Sequence, residues 1–273
     1  MLEMTDRDYA HYLLGEDIDL DAQLLAIRDL MRRHSVASAE LSREIDVLAD
    51  AARSAKGPYA EHLVDLSVDR MHNSVYQDAA HSMAAAGMLA PLMESVLVRL
   101  FDGIGHRPWP LIDSDRKNLA DASEKPKAMW NAQIYFSSRR GPVSDVVKGV
   151  IQLARTSGLD GYLTEDFAKA FEALVTYRNK MFHNGFEWPV AMRDNSQTLI
   201  EQKHWEDWFS RASTNDKPWV FYMSAPFIER LMALIDEVLK AAGRLVRDRV
   251  AVYGFDKVVD VVPDAHVYLF EQD

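Results

Sequence analysis

The sequence predicts an all-α protein: a helical bundle carrying a long N-terminal helical arm and a short C-terminal tail. Apolar residues recur at three- and four-residue spacings through most of the chain. Capping residues precede these stretches, and glycine or proline follows them. Only residues 219–223 and 258–269 read as extended. Residues 1–57 form an acidic arm, 58–250 a helical domain and 251–273 a tail.

The elements follow in order. Thr5 caps a short helix that stops at Gly15. Residues 17–55 make one long helix or two joined ones, with Leu20, Leu24, Ile27, Met31, Leu41, Ile45, Leu48 and Ala52 on one stripe and a weak patch over 32–38. Gly57-Pro58 ends the arm. Residues 59–72 continue helically. Residues 76–101 form an apolar, buried helix that Pro91 should kink. Residues 102–140 are irregular. A helix over 143–156 ends at Gly158. Thr164 caps the next, with Glu165 and Asp166 suited to the positive end of the helix dipole, and it runs to Gly185 as a C-terminal stop. Residues 187–195 read as a loop, 197–211 as a short helix and 226–249 as a long amphipathic one.

Composition excludes several function classes. The 273 residues are 48% hydrophobic and 27% charged, which suits a globular core rather than a disordered chain. There is no cysteine, so a disulfide scaffold, a thiolate zinc site and a cysteine nucleophile are ruled out. No uninterrupted apolar run of membrane-spanning length occurs, and the first residues do not read as a signal peptide, so the expectation is a cytoplasmic protein without a membrane partner. The net charge of −11 is unevenly placed. Residues 1–101 hold 9 Lys/Arg against 17 Asp/Glu, and 102–249 hold 21 against 20. A local basic site in the middle therefore survives the overall acidity.

The stretch that carries chemistry is Arg178-Asn179-Lys180-Met181-Phe182-His183, followed by Asn184-Gly185. At about 100° per residue, Asn179 and His183 lie about 40° apart on one helix face, and Arg178 and His183 about 140° apart. An imidazole exchanges protons near neutral pH, a guanidinium presents a fork of donors to phosphate, and an asparagine can orient either group. Taken alone, an arginine and a histidine at a helix end also serve as ordinary capping charges.

This motif, with an apolar helix before it and Asn-Gly after it, resembles the Arg-x4-6-His motif of the HEPN domain superfamily. The resemblance implies an HEPN-like bundle and a metal-independent endoribonuclease, in which Arg178, His183 and Asn179 are catalytic. It implies a homodimer whose two motif copies face one cleft, RNA as substrate and a toxin or phage-defence effector as the cellular role, with an antitoxin or other protein partner. Some HEPN domains bind RNA, nucleotide or a partner without cleaving, and a helical interaction protein using the acidic arm is a further alternative. Lys180, Asn184, Arg139 and Arg140 are candidate substrate-binding residues, and His81 and Glu94 candidate supports of the site. No cofactor and no metal are expected. Acids stand three residues before His11, His72, His81 and His204, but only Glu201–His204 is a Glu-x-x-His, too little for a di-metal carboxylate site. The glycines lack a phosphate-loop pattern. Trp205, Trp208 and Trp219 are expected to pack against the bundle rather than to stack bases.

Overall fold

The computed structural model describes residues 4–14, 19–105, 130–137 and 139–253. Within them lie seven helices and two hairpins: α1 (Asp6–Leu14), α2 (Leu20–Ser54), α3 (Pro58–Gly105), β1 (Ile134–Ser137), β2 (Gly141–Ser144), α4 (Val146–Ser157), α5 (Phe167–Asn184), α6 (Val190–Lys203), β3 (Phe209–Thr214), β4 (Lys217–Met223) and α7 (Ala225–Tyr253). The protein is therefore mostly helical, with two separate antiparallel strand pairs added. The stop at Gly15, the pair expected over 258–269 and much of the irregular stretch expected after 102 lie outside the described residues.

The chain forms two compact units. One comprises Met1–Asp19, Pro91–Glu172 and Ala233–Asp273, and the other Leu20–Ala90 and Ala173–Met232.

In the first unit, α1 opens with a reciprocal cap. The Asp8 N–H donates to Thr5 Oγ1 (3.3 Å), and the Thr5 N–H donates back to Asp8 Oδ2 (2.7 Å). The helix buries Ala10, Leu13 and Leu14. It makes two backbone approaches that only glycine permits. A Cβ at Gly243 of α7 would stand 1.5 Å from the Asp6 carbonyl oxygen, and one at Gly103 of α3 would stand 2.1 Å from that of Leu13. Arg247 and Arg7 then reach Asp6 and Asp236 at 2.6 and 3.4 Å. The helix expected from residue 143 starts instead at Val146. Residues 141–144 pair with β1, and Asp145 caps α4 by accepting from the Lys148 N–H (3.0 Å). Gln152 of α4 holds this hairpin by exchanging two hydrogen bonds with the Phe136 backbone (2.9 and 3.1 Å). Gly158, left-handed at φ 78°, ends α4 where the sequence predicts.

In the second unit, α2 and α3 form a hairpin about residues 55–57. His34 of α2 lies 3.8 Å from Asp78 of α3. The two residues stand at similar chain distances on either side of Gly57, so the helices run antiparallel. The stretches expected at 59–72 and 76–101 are one helix, because nothing between them breaks it. The Ser74 hydroxyl bonds back to the Met71 carbonyl (2.8 Å) and leaves the turn intact. The α3 helix also continues through Pro91. The proline side is exposed while Leu89, Ala90, Leu92 and Met93 around it are buried, so packing offsets the missing hydrogen bond. One 18-residue window of α3 is apolar enough to cross a membrane, with mean hydropathy 1.5, but 56% of it is buried inside the protein.

Two expectations in this unit are corrected. Residues 187–195 are not all loop, since α6 starts at Val190 directly after Pro189. Nor does a helix span 197–211. The α6 helix ends with His204 in the left-handed region (φ 54°), and Phe209 begins β3. The β3–β4 turn is Asn215-Asp216, both at positive φ (50° and 60°), a two-residue connection whose twist suits the hairpin. Trp205 is buried beside Phe209, and Trp208 stacks on Phe227 (4.8 Å), so both serve packing as expected.

Candidate functional site

The motif occupies the last two turns of α5. Apolar Ala173, Leu174, Tyr177 and Met181 anchor one face of this helix in the core. The Tyr177 hydroxyl donates to the Phe221 carbonyl of β4 (3.1 Å). That anchoring turns Asn179 and His183 outward, and both are exposed. Arg178, on the adjoining flank, is half-buried, with its Nε sunk into the interior.

The chain leaves α5 through a well-bonded turn. Gly185 takes φ 69° and donates to the Met181 carbonyl (2.8 Å). The Asn184 amide donates to the Lys180 carbonyl (2.8 Å), and the Trp188 indole N–H to the Gly185 carbonyl (2.9 Å). Trp188 in turn stacks on Phe221 (5.4 Å). The Lys180 ammonium donates to the Ser196 hydroxyl of α6 (2.7 Å) and lies over the Trp188 ring (5.6 Å), and burial pulls its pKa down. Glu187 joins the Tyr76 hydroxyl of α3, and Arg193 of α6 stands 3.7 Å from the same carboxylate. Lys180 and Asn184, read as substrate-binding candidates, are thus engaged in holding the helix end and α6.

The other candidates lie elsewhere. Arg139 and Arg140 are exposed in the β1–β2 turn of the first unit. Glu94 also belongs to that unit. His81 stacks face to face on His34, with ring centroids 3.6 Å apart and 7° between the planes. His34 fills the weak patch of the α2 stripe, and Asp78 and Tyr222 complete the cluster. Burial, reinforced by the neighbouring His34, lowers the His81 pKa to about 4. Burial also lowers that of His34, with Asp78 acting in opposition. Among the described residues no group of three or more His, Asp or Glu is placed to hold a metal ion.

This cluster should make the fold acid-sensitive. Both histidines have folded pKa values below the ordinary 6.5, so the unfolded chain binds more protons as pH falls. Their stabilising contribution is complete above pH 6.5 and is lost as pH falls through each folded pKa, which for His81 is about 4. Asp78, whose carboxyl burial raises, works in the opposite sense over its own titration. For His81, the full shift discounted for partial solvation leaves about 1–2 kcal/mol. Urea titrations of the wild type should therefore show falling stability from pH 6.5 to pH 4, and His81→Leu should flatten this slope. An unchanged slope in the variant would remove the cluster as its source.

One residue in the motif was not singled out by sequence reasoning. Phe182 is 54% exposed, although every other aromatic of α5 is buried. Its ring tip rests on α3 at Gly87, where a Cβ would lie 2.9 Å from Cζ. The available signal was an aromatic on the solvent side of an otherwise well-ordered amphipathic pattern. Asn179, Phe182 and His183 stand at i, i+3 and i+4, which makes them surface neighbours. Compared with protein-family models, curated proteins and solved structures, the chain matches none.

Proposed function

We propose that the protein is a metal-independent endoribonuclease of HEPN type. The observation that carries this reading is the exposure of His183 and Asn179 on one face of a firmly anchored helix end, with Arg178 beside them. Two copies of the chain, motif to motif, would supply two imidazoles. One His183 takes the proton of a ribose 2′-hydroxyl as its oxygen forms a bond to phosphorus. The bond from phosphorus to the 5′-oxygen breaks, and the second His183 protonates that leaving oxygen. Arg178 stabilises the charge gathering on the phosphoryl oxygens, and Asn179 orients the imidazole or the ribose. Purified protein should cut single-stranded RNA in excess EDTA and leave 2′,3′-cyclic phosphate and 5′-hydroxyl ends. Cleavage that EDTA stops, or that leaves 5′-phosphates, would refute this chemistry. A role as toxin or phage-defence effector, with an antitoxin as partner, follows from the resemblance.

A second reading, a helical interaction protein, is favoured by the outer half of α3. Val64, Val68 and Met71 are 50%, 39% and 44% exposed, and continue the face that buries Ser82, Ala86 and Leu89 further along the helix. Glu61, Asp65 and Asp69 run beside them as an exposed acidic ridge. Such a face suits an amphipathic helix with a basic flank. A synthetic helix of that kind should bind the whole protein and lose affinity when the three acids are changed to lysine. Equal binding to both proteins would count against it.

A further inference from the structure

We infer that Phe182 is a stacking platform for an unpaired nucleobase, which makes the Asn179–His183 face a site for single-stranded RNA. The inference rests on the endoribonuclease reading and adds a residue that would select the unpaired substrate.

A phenylalanine side chain loses favourable free energy for each part of its ring left in water. Phe182 nevertheless lies more than half exposed, one residue from the proposed general base. It is not a loose surface side chain, because its tip is seated on the glycine surface of α3. A Cβ at Gly87 would lie 2.9 Å from Phe182 Cζ, close enough to push the ring tip off that seat. The ring is thereby held while much of its surface stays open. Bases offer a π-face of every sequence, and aromatic–base stacking is available only to a base that has left a duplex. On a helix, Asn179 and His183 flank Phe182 within about one side-chain length. A base on the ring would bring its own ribose and phosphate to the imidazole. The backbone adds a polar feature at the same place. The Gly87 carbonyl would take its helical hydrogen bond from residue 91, and Pro91 has no N–H to give. The Gly87 carbonyl therefore lacks its usual helical donor.

The test is equilibrium binding of a fluorescent RNA oligonucleotide, single-stranded or annealed to its complement, in a His183→Ala background that prevents cleavage. Adding Phe182→Ala should weaken single-strand binding roughly five- to a hundredfold, the effect of removing one stacked base. Phe182→Trp should bind at least as well as phenylalanine, and duplex binding should be weak in all forms. The melting temperature of each variant checks that the exposed substitution leaves the fold intact. Unchanged single-strand affinity in the Phe182→Ala form would overturn the platform and leave the nuclease reading standing, provided the wild type cleaves. Equal loss for single strand and duplex would also overturn it. A wild type that neither binds nor cuts RNA would remove both proposals together.

Discussion

Replacing His183 by alanine should lower RNA cleavage by about 10²- to 10⁴-fold, the usual contribution of a positioned acid–base group. The size of the loss depends on how many roles the residue has. If two copies act as base and acid in one cleft, each mutant homodimer lacks both. A mixed dimer with one intact His183 should then also be strongly impaired. Stability should move by no more than about 0.5 kcal/mol, because the side chain is exposed and packs against nothing in the core. Thermal melting and cleavage measured on the same preparation separate the two effects. Arg178 behaves differently. Its buried Nε means that alanine would disturb folding as well as catalysis, so Arg178→Lys is the informative change. Lysine keeps the charge but loses the fork that fits a phosphate. Cleavage persisting at wild-type rate in His183→Ala would end the assignment of this residue.

Gly243→Val should dislodge α1. The expected loss is bounded by the burial of Leu13 and Leu14, about 3–6 kcal/mol as an upper estimate. No side-chain rotation can relieve the clash, since the atoms that a Cβ would meet are the carbonyl oxygen and carbon of Asp6, at 1.5 and 2.4 Å. Either the helices separate or α1 leaves. Hydrogen exchange of residues 4–14 distinguishes these outcomes, because selective release raises exchange there while α3 and α7 stay protected. Gly161→Ala is the matched control, with open space around its Cβ, and should be close to neutral. Normal protection of α1 in the Gly243→Val protein would show that this close approach is not what seats the helix.

The ends of α5 and α4 were legible because glycine supplies the left-handed residue that stops a helix, and Gly185 and Gly158 do this at φ 69° and 78°. The bounds of α6 were not, although its second half, 197–203, reads as helical. Its sequence, VAMRDNSQTLIEQK, buries only Ser196, so no apolar stripe announces it. It is held by polar contacts from outside, Lys180 to Ser196 and Arg193 to the Trp188 carbonyl. The β3–β4 hairpin was half legible. The apolar run of β4 reads as extended, whereas β3 alternates weakly and depends on its partner for structure. The spacing of Asp78 and His81 could be seen, but His34 comes from a different helix.

Periodicity and punctuation, which act over a few residues, determined most of the helices, the apolar stripe of α2 and the place of the Arg-x-x-x-x-His motif at a helix end. The meeting of residues far apart in sequence was decided by tertiary structure alone. His34 stacks on His81, Phe182 rests on Gly87, and α1 docks on Gly103 and Gly243. Hydrogen bonding and amphipathicity are local and leave a trace in the order of residues. Which helix faces meet depends on the packing of the whole core, and the absence of a side chain at a glycine acquires meaning only when another backbone or ring comes to fill the space.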